Sequence, residues 1–434
     1  METAPEPVAS AEQTTVIGTD GSVAIPARLP GRRAASRRPL ETLSNVYERY
    51  RVAILVYVAS RVLLLIVAGL DDVFRHQSVL NALANWDGMW YRWVANAGYP
   101  HHVIHCCVGH GETQAQSTLG FFPLYPLVIW VFARPVMLLT GHSAVWSITL
   151  AGVIVSTIGG LICTMIVQEL GRSWWGASAG RRAAVLFALF PGSVVFSMAY
   201  AEGIALPLAA GCILALQKRR WLTAGLLAGF ATAATPQSLI LIPVCAVSAG
   251  LELRRRGWSV REARRSLLAP LLSVTGAVAL GAFLWAWTGT PFAITETQRI
   301  GWKEKTDPLA LVHLVKRLAD QVSFSHFNHP TVNLNYVVGL LGAILLVVLL
   351  YLMVRIRRTI SIEAWLWTLG ITFLMVTSEY IPPNPRLLIT AFPAVMVLAY
   401  YVKKRVAFGA LAFANGALLA GLSALTFVGI TLRP

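Results

Sequence analysis

Charged side chains are scarce in this sequence. They make up 13% of its 434 residues, whereas 56% of the residues are hydrophobic. Soluble proteins carry about a quarter charged residues. The shortage excludes an ordinary soluble domain. Because the apolar residues fall in many long runs, we predict an all-α polytopic membrane protein.

Cysteine is scarce too, and no cleavable signal peptide is visible. Three of the five cysteines, Cys163, Cys212 and Cys245, lie in apolar runs and are interpreted as small core residues. The adjacent Cys106 and Cys107 can bridge each other only with strain. The first apolar run begins beyond residue 50 and is too long for the core of a signal peptide.

The first 45 residues differ from the rest of the chain. They are rich in Ala, Pro, Ser and Thr, lack an apolar pattern that could form a core, and carry a cluster of arginines near their end. We therefore predict a disordered cytoplasmic tail over residues 1–45 and one membrane domain over residues 46–434.

Basic residues set the predicted topology. The net charge of +16 falls in short clusters between apolar runs, which is typical of topology signals rather than of a nucleic-acid surface. All these clusters become cytoplasmic if the proline-interrupted run 121–139 lies in the outer interface instead of crossing. This choice predicts about 11 transmembrane helices, a cytoplasmic N-terminus and two outer segments, 71–143 and 289–333. The predicted spans are 52–70, 145–168, 183–200, 203–216, 222–234, 237–250, 267–288, 334–354, 364–380, 386–402 and 407–430.

Asp87 is the leading catalytic candidate, because it lies in an aromatic cluster just after the first span. A desolvated carboxylate at a membrane face can take a proton from a substrate hydroxyl as a general base. The alternative is an aromatic belt at headgroup depth with an incidental acid, and the residues alone favour neither. The neighbours of Asp87 that are predicted to bind substrate are Trp86, Trp90, Tyr91 and Arg92.

Polar residues at other predicted outer helix breaks are candidates for substrate binding. Glu202 follows a Phe-Pro-Gly-Ser break, although a hydrated turn would explain it equally. Arg386 follows three prolines in five residues and is a candidate phosphate ligand, with a headgroup anchor as the alternative. Two amides at comparable breaks are Gln237 and Asn384.

One basic residue stands inside a predicted span. Arg61 lies in the middle of 52–70, where an unpaired cation costs at least ~2.5 kcal/mol. We expect it to face the bundle interior and to have a structural partner, either a carbonyl or an acid.

The second outer segment, 289–333, mixes charges and aromatic residues. It is interpreted as a cover for substrate, with an ordinary solvated connection as the alternative. Its candidate substrate-binding residues are Gln298, Arg299, Trp302 and Lys303.

A cluster of histidines and cysteines in the first outer segment contains residue types that suit zinc. Their spacing matches no standard zinc pattern, so we expect neither a metal nor another cofactor to take part in the function. The cluster comprises His101, His102, His105, Cys106, Cys107, His110 and Glu112.

Several short motifs follow one another in a fixed order over residues 50–400. In them the chain resembles bacterial members of the PIG-V type family of GPI mannosyltransferases, within the GT-C class of membrane glycosyltransferases. Two features depart from the family pattern, the insertion at 101–112 and Thr290, which stands where an acid is common. The motifs are Trp86-Asp87-Gly88 with Trp90-Tyr91, Ala97-Gly98-Tyr99, Phe121-Phe122-Pro123-Leu124-Tyr125-Pro126, Phe190-Pro191-Gly192-Ser193, Tyr200-Ala201-Glu202, and Gly289 to Phe292 with Gln298 and Trp302.

The resemblance implies a GT-C-like helix bundle with a helical first outer loop and a catalytic aspartate at Asp87. It also implies transfer of a sugar, expected to be mannose, from a polyprenyl-phosphate donor to a lipid-linked or glycan acceptor. The expected partners are this donor, this acceptor and membrane lipids, without nucleic acid. The expected location is a bacterial plasma membrane, with the active site on the outer face.

Two alternatives stay open. Within the class, the donor could carry arabinose or another sugar. Outside the class, a polytopic transporter or lipid flippase would also need broken helices, but it should show related halves and polar residues at the bilayer centre. No convincing internal repeat is visible, and the polar candidates other than Arg61 gather at the predicted outer face.

Overall fold

The computed structural model describes residues 39–105, 116–322, 332–379, 382–428 and 432–433, with side chains from residue 45 onward. The chain divides into two units, Met1–Arg49 and Tyr50–Pro434. Of the predicted disordered tail, residues 1–38 lie outside the described residues, and the first helix begins at Pro39. Apart from the first residues of this helix, the features that follow lie in the second unit.

The described residues form α-helices and short 3-10 helices, without a β-strand, which confirms the all-α prediction. The first ten α-helices are α1 (Pro39–Arg75), α2 (Val79–Ala82), α3 (Asp87–Ala97), α4 (Leu124–Thr140), α5 (Ala144–Trp175), α6 (Ala177–Leu189), α7 (Glu202–Gln217), α8 (Trp221–Thr232), α9 (Leu241–Arg255) and α10 (Val260–Ala263). The next ten are α11 (Leu268–Ser273), α12 (Thr275–Thr288), α13 (Ala293–Gly301), α14 (Ala310–Val322), α15 (Leu334–Arg355), α16 (Ile362–Thr377), α17 (Pro385–Thr390), α18 (Phe392–Met396), α19 (Leu398–Tyr401) and α20 (Arg405–Phe427). The 3-10 helices are Thr118–Gly120, Pro191–Phe196, Pro236–Ile240 and Arg357–Thr359.

Six helical stretches of the described chain are long and apolar enough to cross a membrane, which confirms the polytopic class. Shorter apolar helices pack among them. The six stretches are Asn45–Arg75, Ala144–Trp175, Pro236–Arg255, Leu268–Thr288, Leu334–Arg355 and Arg405–Phe427. The shorter ones are Leu124–Thr140, Glu202–Gln217, Trp221–Thr232, Ile362–Thr377 and Phe392–Tyr401.

The helices of the bundle join at two ends, which we call the α3 end and the far end. At the α3 end, Trp86 Nε1 donates to the Thr426 carbonyl (3.2 Å) and Trp287 Nε1 to the Tyr99 carbonyl (3.2 Å). At the far end, Gln217 Nε2 donates to Ser361 Oγ (2.8 Å). The basic clusters between helices lie at the far end, at 172–182, 218–220, 254–265, 355–358 and 403–405. Which side of a membrane each end faces stays a prediction.

Helix α4 covers most of the proline-interrupted run 121–139, which was predicted to lie in the outer interface instead of crossing the membrane. The backbone N–H of Leu124 donates to the Ala233 carbonyl (3.1 Å) at the α3 end. From there α4 runs antiparallel to the first half of α5 and turns at Gly141, which has φ +68°. Because the α4–α5 turn points away from the far end, α4 does not traverse the bundle.

Two predicted spans, 183–200 and 386–402, are broken in the structure. The first stops as an α-helix at Leu189 and continues as the 3-10 helix Pro191–Phe196, because Pro191 has no N–H for a helical hydrogen bond. The second is divided into α17, α18 and α19, with prolines at the start of the first two. Neither segment is therefore one continuous helix, and their buried turns lie in the core of the bundle.

The two broken segments pack directly on each other. Gly192 lies so close to the carbonyl of Pro385 that an added Cβ would overlap with it. This contact fixes the start of α17, and so Arg386, against the chain that leads to Glu202. The packing of these two segments therefore requires glycine at position 192.

Arg61 holds one of these segments in place. Its guanidinium donates to the carbonyl of Ser193 (2.6 Å), to Ser197 Oγ (3.0 Å) and to the carbonyl of Ala188 (3.3 Å), and it lies over the ring of Tyr57 at 4.7 Å. Its partners in the described chain are thus carbonyls, hydroxyls and a ring, in agreement with the expected structural role.

Gly192→Ala should lower stability by about 1–3 kcal/mol, because the methyl group has no room beside Pro385. The matched control is Gly250→Ala in α9, where nothing lies within 4 Å of an added Cβ. Apparent melting temperatures in detergent should fall for the first variant and stay equal or rise for the second. Equal melting temperatures for both variants would show that the contact between Gly192 and Pro385 does not limit the stability of the bundle.

Candidate active site

Asp87 is the first residue of α3, at the α3 end of the bundle. The residue before it, Trp86, has φ +60° and ψ −124°, a conformation that bulky residues rarely adopt and that costs on the order of 1–3 kcal/mol. The helix N-terminus places the positive end of its dipole near the Asp87 carboxylate. The local backbone therefore favours a negative charge at this position.

Arg386 joins two acids from distant parts of the chain. Its Nη1 lies 2.6 Å from Asp87 Oδ2, and its Nε lies 2.5 Å from Glu202 Oε1. One guanidinium thus uses two of its nitrogens to bind two carboxylates, a geometry that its planar fork permits. We call Asp87, Glu202 and Arg386 the carboxylate–arginine cluster.

Exposure separates the two acids. The Asp87 side chain is 33% exposed, whereas that of Glu202 is 5% exposed and that of Arg386 is 15% exposed. The Oε2 atom of Glu202 is buried and has no hydrogen-bond partner in the described chain. Asp87 is therefore the carboxylate that a substrate can reach, and Glu202 is buried behind the arginine.

Tyr200 completes the inner side of the cluster. Its hydroxyl accepts a hydrogen bond from the backbone N–H of Asp87 (3.2 Å), and its ring lies 4.6 Å from the guanidinium carbon of Arg386. Burial raises the pKa of Tyr200 well above its usual value, and the carboxylate of Asp87 adds to the rise. The phenol therefore stays neutral beside the ion pairs.

The pKa of Arg386 reflects two opposed effects. Burial alone would lower the pKa of Arg386, but the carboxylates of Asp87 and Glu202 outweigh it and hold the pKa well above the usual value. The guanidinium is therefore charged at every accessible pH, and the cluster carries one positive and two negative charges when both acids are ionised.

The end of the last helix fixes the strained turn before Asp87. Asn85 Nδ2 donates to the Phe427 carbonyl (2.8 Å) and Trp86 Nε1 donates to the Thr426 carbonyl (3.2 Å). The C-terminal carbonyls of α20 are groups that a helix leaves unpaired. Their bonds to the turn hold Asp87 at the edge of the cluster.

An aromatic cluster packs on the other face of α3. Trp90 stacks on Phe121 at a centroid distance of 5.7 Å and meets Trp302 edge to face at 5.2 Å. Tyr91 meets Phe121 edge to face at 5.1 Å. Burial raises the pKa of Tyr91 well above its usual value, and Glu202 and Asp87 raise it further. The structure thus brings together three of the predicted residues, Trp90, Tyr91 and Trp302.

A cavity of about 310 Å³ opens beside the cluster. Three of its lining residues are cationic, and Asn384 belongs to its wall two positions before Arg386. Arg433 also lies over the ring of Trp86, at 5.9 Å from its centroid. The cavity therefore adjoins the sequence neighbours of both Asp87 and Arg386. Its charged lining residues are Lys303, Arg317, Glu379 and Arg433.

The wall of this cavity is built by two segments that pair with each other. The N–H of Asp307 donates to the Thr377 carbonyl (2.7 Å), and Ser378 Oγ donates to Glu304 Oε1 (2.8 Å). Burial raises the pKa of Glu304. Lys303, which precedes this pairing, has φ +56° and an exposed side chain that lines the cavity.

The remaining predicted residues take other positions. Gln298 Nε2 donates to the Gly120 carbonyl (2.8 Å), and so ties α13 to the first outer segment. Asn384 Oδ1 caps α17 by accepting from the N–H of Leu387 (2.9 Å). Arg299 is exposed. Gln237 lies in the 3-10 helix Pro236–Ile240, which packs against α8, α9 and α16.

Arg92 lies on α3 itself and is half-buried. Burial lowers its pKa, and its buried Nε has no hydrogen-bond partner in the described chain. The Nε–H group of Arg92 can therefore still donate a hydrogen bond, and it lies on the helix that begins with Asp87.

The predicted histidine–cysteine cluster is described only in part. His101, with its ring stacked on Trp287 at 4.1 Å, and His102 and His105 lie within the described residues. Cys106, Cys107, His110 and Glu112 lie outside them. Among the described residues no group of three or more His, Cys, Asp and Glu side chains is placed to hold a metal ion.

Tyr200, Arg317 and Arg433 are among the residues of the site and its cavity that were not predicted from the sequence. Tyr200 is two positions from Glu202, and that adjacency was the available signal. Arg317 looks like an ordinary charge on the polar face of α14. Arg433 follows the last apolar run and reaches the site only because α20 ends beside Trp86.

Comparison with known proteins gives no family. No protein-family model and no curated protein match the chain. Solved structures that match include ArnT from Cupriavidus metallidurans bound to undecaprenyl phosphate, with 16% identity, a TM-score of 0.46 and coverage of 85% of this chain and 62% of ArnT. The apo oligosaccharyltransferase of Archaeoglobus fulgidus matches with 13% identity, a TM-score of 0.48 and coverage of 87% of this chain and 55% of that one.

A third match is the oligosaccharyltransferase AglB from Archaeoglobus fulgidus in complex with an inhibitory peptide and a dolichol-phosphate, with 12% identity, a TM-score of 0.42 and coverage of 87% of this chain and 56% of that one. The chain spans about three fifths of the length of these proteins or less.

Replacing Arg386 should destabilise the bundle through Glu202. Arg386→Ala leaves a buried carboxylate without its partner, which costs about 3–5 kcal/mol. Arg386→Lys should cost less, although a single ammonium cannot reproduce the two-armed contact. Apparent melting temperatures of the purified variants should fall in the order wild type, Lys, Ala.

The control is the double variant Arg386→Ala with Glu202→Gln, in which the buried charge is removed together with its partner. It should be more stable than Arg386→Ala alone. A double variant that melts no higher than the single one would contradict the view that Arg386 compensates Glu202.

Proposed function

We propose that the protein is a membrane glycosyltransferase that moves a sugar from a polyprenyl-phosphate donor to a hydroxyl of a lipid-linked or glycan acceptor. The observation that carries the proposal is the carboxylate–arginine cluster, which presents one reachable carboxylate, Asp87, beside a cavity rich in cations. The motif resemblance around Asp87 points to the same reaction. Mannose is the proposed sugar, on the resemblance alone.

Asp87 is proposed as the general base. The acceptor hydroxyl would give its proton to the Oδ1 atom of Asp87 as its oxygen forms a bond to the anomeric carbon. The bond between that carbon and the donor phosphate breaks, and the polyprenyl phosphate leaves with the electron pair. Arg386 would keep Oδ2 occupied and the carboxyl plane fixed, since it lies 2.6 Å from that oxygen.

The donor phosphate is proposed to lie in the cavity beside the cluster. The cavity offers Lys303, Arg317 and Arg433, and cations there would stabilise the charge that develops on the departing phosphate. Arg317 is already paired with Glu379 (3.0 Å), whereas the ammonium group of Lys303 has no ion pair in the described chain. The phosphate contact that the sequence suggested for Arg386 would be left to its third nitrogen, Nη2.

The surroundings of the reaction follow from this placement. The α3 end, with the cavity and the cluster, is proposed to face the non-cytoplasmic side of a bacterial plasma membrane, because the basic clusters lie at the far end. The chemical step is proposed to need no metal, since arginine and lysine side chains supply the positive charge. The tail that precedes α1 is proposed to be cytoplasmic.

Asp87→Asn should reduce transfer by about 10²–10⁴-fold, because the amide keeps the size of the side chain but cannot accept the proton. The assay uses purified protein in proteoliposomes with polyprenyl-phospho-mannose and an extract of host glycolipids, scored for transferred sugar. Asp320→Asn is the matched control, an acid-to-amide change at an exposed position of α14, and should leave the rate unchanged.

Near-normal transfer by Asp87→Asn would overturn the role of Asp87. Translocation of a lipid-linked sugar across the bilayer by wild-type protein, without transfer, would instead favour the flippase alternative. Supplying polyprenyl-phospho-arabinose in a parallel assay distinguishes the two sugars.

Lys303→Gln should raise the KM for the donor by about 10–100-fold, the equivalent of losing one charge-assisted hydrogen bond of about 1.5–3 kcal/mol. Arg299→Gln removes an exposed charge from the same segment that does not line the cavity, and should change KM little. The measurement is the initial rate over a range of donor concentrations. If Arg299→Gln raises the KM as much as Lys303→Gln, the attraction is general and the phosphate does not lie in this cavity.

A further inference from the structure

A second cationic cavity lies at the far end of the bundle, away from the carboxylate–arginine cluster. It is formed by the loop between α9 and α11, residues 254–265, which we call the arginine loop. Its volume is about 410 Å³, within the range of about 300–1,000 Å³ that is typical of small-molecule sites. It is lined by Arg256, Arg261, Glu262, Arg264 and Arg265.

The charges of this cavity are not balanced by the protein. Arg256 is tied to the buried Glu252, with Nε 2.8 Å from Oε1. By contrast, the structure shows no hydrogen bond or ion pair to the guanidinium groups of Arg261, Arg264 and Arg265 anywhere in the part of the chain that it describes. With Arg256 neutralised by Glu252, three arginines face a single carboxylate in the lining, that of Glu262. The excess of positive charge raises the local potential, so the cavity favours an anion.

An apolar surface continues directly from the arginine loop. Leu267, Leu268 and Leu271, which follow Arg265 at the start of the stretch Leu268–Thr288, are 38%, 36% and 65% exposed. Trp258, inside the loop, is 67% exposed and has φ +64°. Tryptophan favours the depth of lipid headgroups, and exposed leucines on a membrane-spanning stretch face acyl chains.

We propose that the arginine loop binds an anionic phospholipid. The headgroup phosphate would accept hydrogen bonds from Arg261, Arg264 and Arg265, since guanidinium groups match phosphate oxygens in pairs. Trp258 would lie at the level of the glycerol backbone, and the acyl chains would pass along Leu267, Leu268 and Leu271. The site is separate from the proposed donor cavity, because α9 and the stretch Leu268–Thr288 both run from the arginine loop to the other end of the bundle.

The continuity of charge and apolar surface favours a lipid over a soluble phosphate. A soluble anion would use only the arginines, and it would leave the leucines and Trp258 without a role. Basic pockets at the ends of membrane helices are a recognised kind of site for acidic headgroups. One ligand with both a phosphate and acyl chains satisfies both parts of the surface.

Lipid binding by the purified, delipidated full-length protein in detergent tests the proposal. Native mass spectrometry would count bound lipid during titration with phosphatidylglycerol, and with phosphatidylcholine of the same chains. The test variant is Arg261→Gln with Arg264→Gln and Arg265→Gln. The matched control removes three exposed charges from other positions at the same end, Arg357→Gln with Arg358→Gln and Arg405→Gln.

Wild type and control should bind the first equivalent of phosphatidylglycerol at least 10-fold more tightly than phosphatidylcholine, and the test variant should lose this preference. Melting temperatures of both triple variants check that they are folded. Equal loss of preference in both triple variants would overturn the proposal in favour of general surface attraction. Binding of glycerol phosphate without chains, at the same affinity and with the same dependence on the arginines, would overturn it in favour of a soluble ligand.

Discussion

The pairing of Arg386 with two carboxylates is the constraint on which the site depends. A buried carboxylate such as Glu202 is tolerated only with a partner, and Arg386 is the cation that the structure places against it. The same guanidinium reaches Asp87, so the arrangement of a reachable acid follows from the neutralisation of a buried one. The helix breaks that precede Glu202 and Arg386 pack against each other, and this brings the two side chains together. The close packing is possible because Gly192 has no side chain.

Asp87 is held from three directions, which is what preorganisation requires. The helix N-terminus lies beneath it, Arg386 fixes one oxygen, and the turn before it is tied to the carbonyls that end α20. The positive φ of Trp86 is a local cost that these contacts must exceed. A carboxylate fixed in this way has little orientational freedom left to lose, as the role of general base proposed for Asp87 would require.

Much of this architecture could be predicted from the amino-acid sequence, because hydropathy and charge act locally. The apolar runs gave the helical class, and the clusters of basic residues gave the separation of the two ends. Asp87, Glu202 and Arg386 could each be singled out as polar residues beside helix breaks. Their pairing could not, because Glu202 and Arg386 are 184 positions apart and no local pattern encodes which distant charges meet. For the same reason Arg386 was expected to contact a phosphate or a lipid headgroup, and neither its pairing with two acids nor the position of Arg433 beside the site was predicted.

The distances along the chain have a consequence for how the protein is made. Asp87 and Glu202 are synthesised long before Arg386, and Trp86 finds its acceptor 340 residues further on, in the last helix. Glu202 therefore lacks the partner that it has in the folded bundle until Arg386, near the end of the 434-residue chain, has been synthesised. A ribosome-bound intermediate must keep that acid hydrated or protonated, and the bundle can close around it only when translation is almost finished. The order of the residues along the chain thus delays the completion of the carboxylate–arginine cluster until Arg386 has been synthesised.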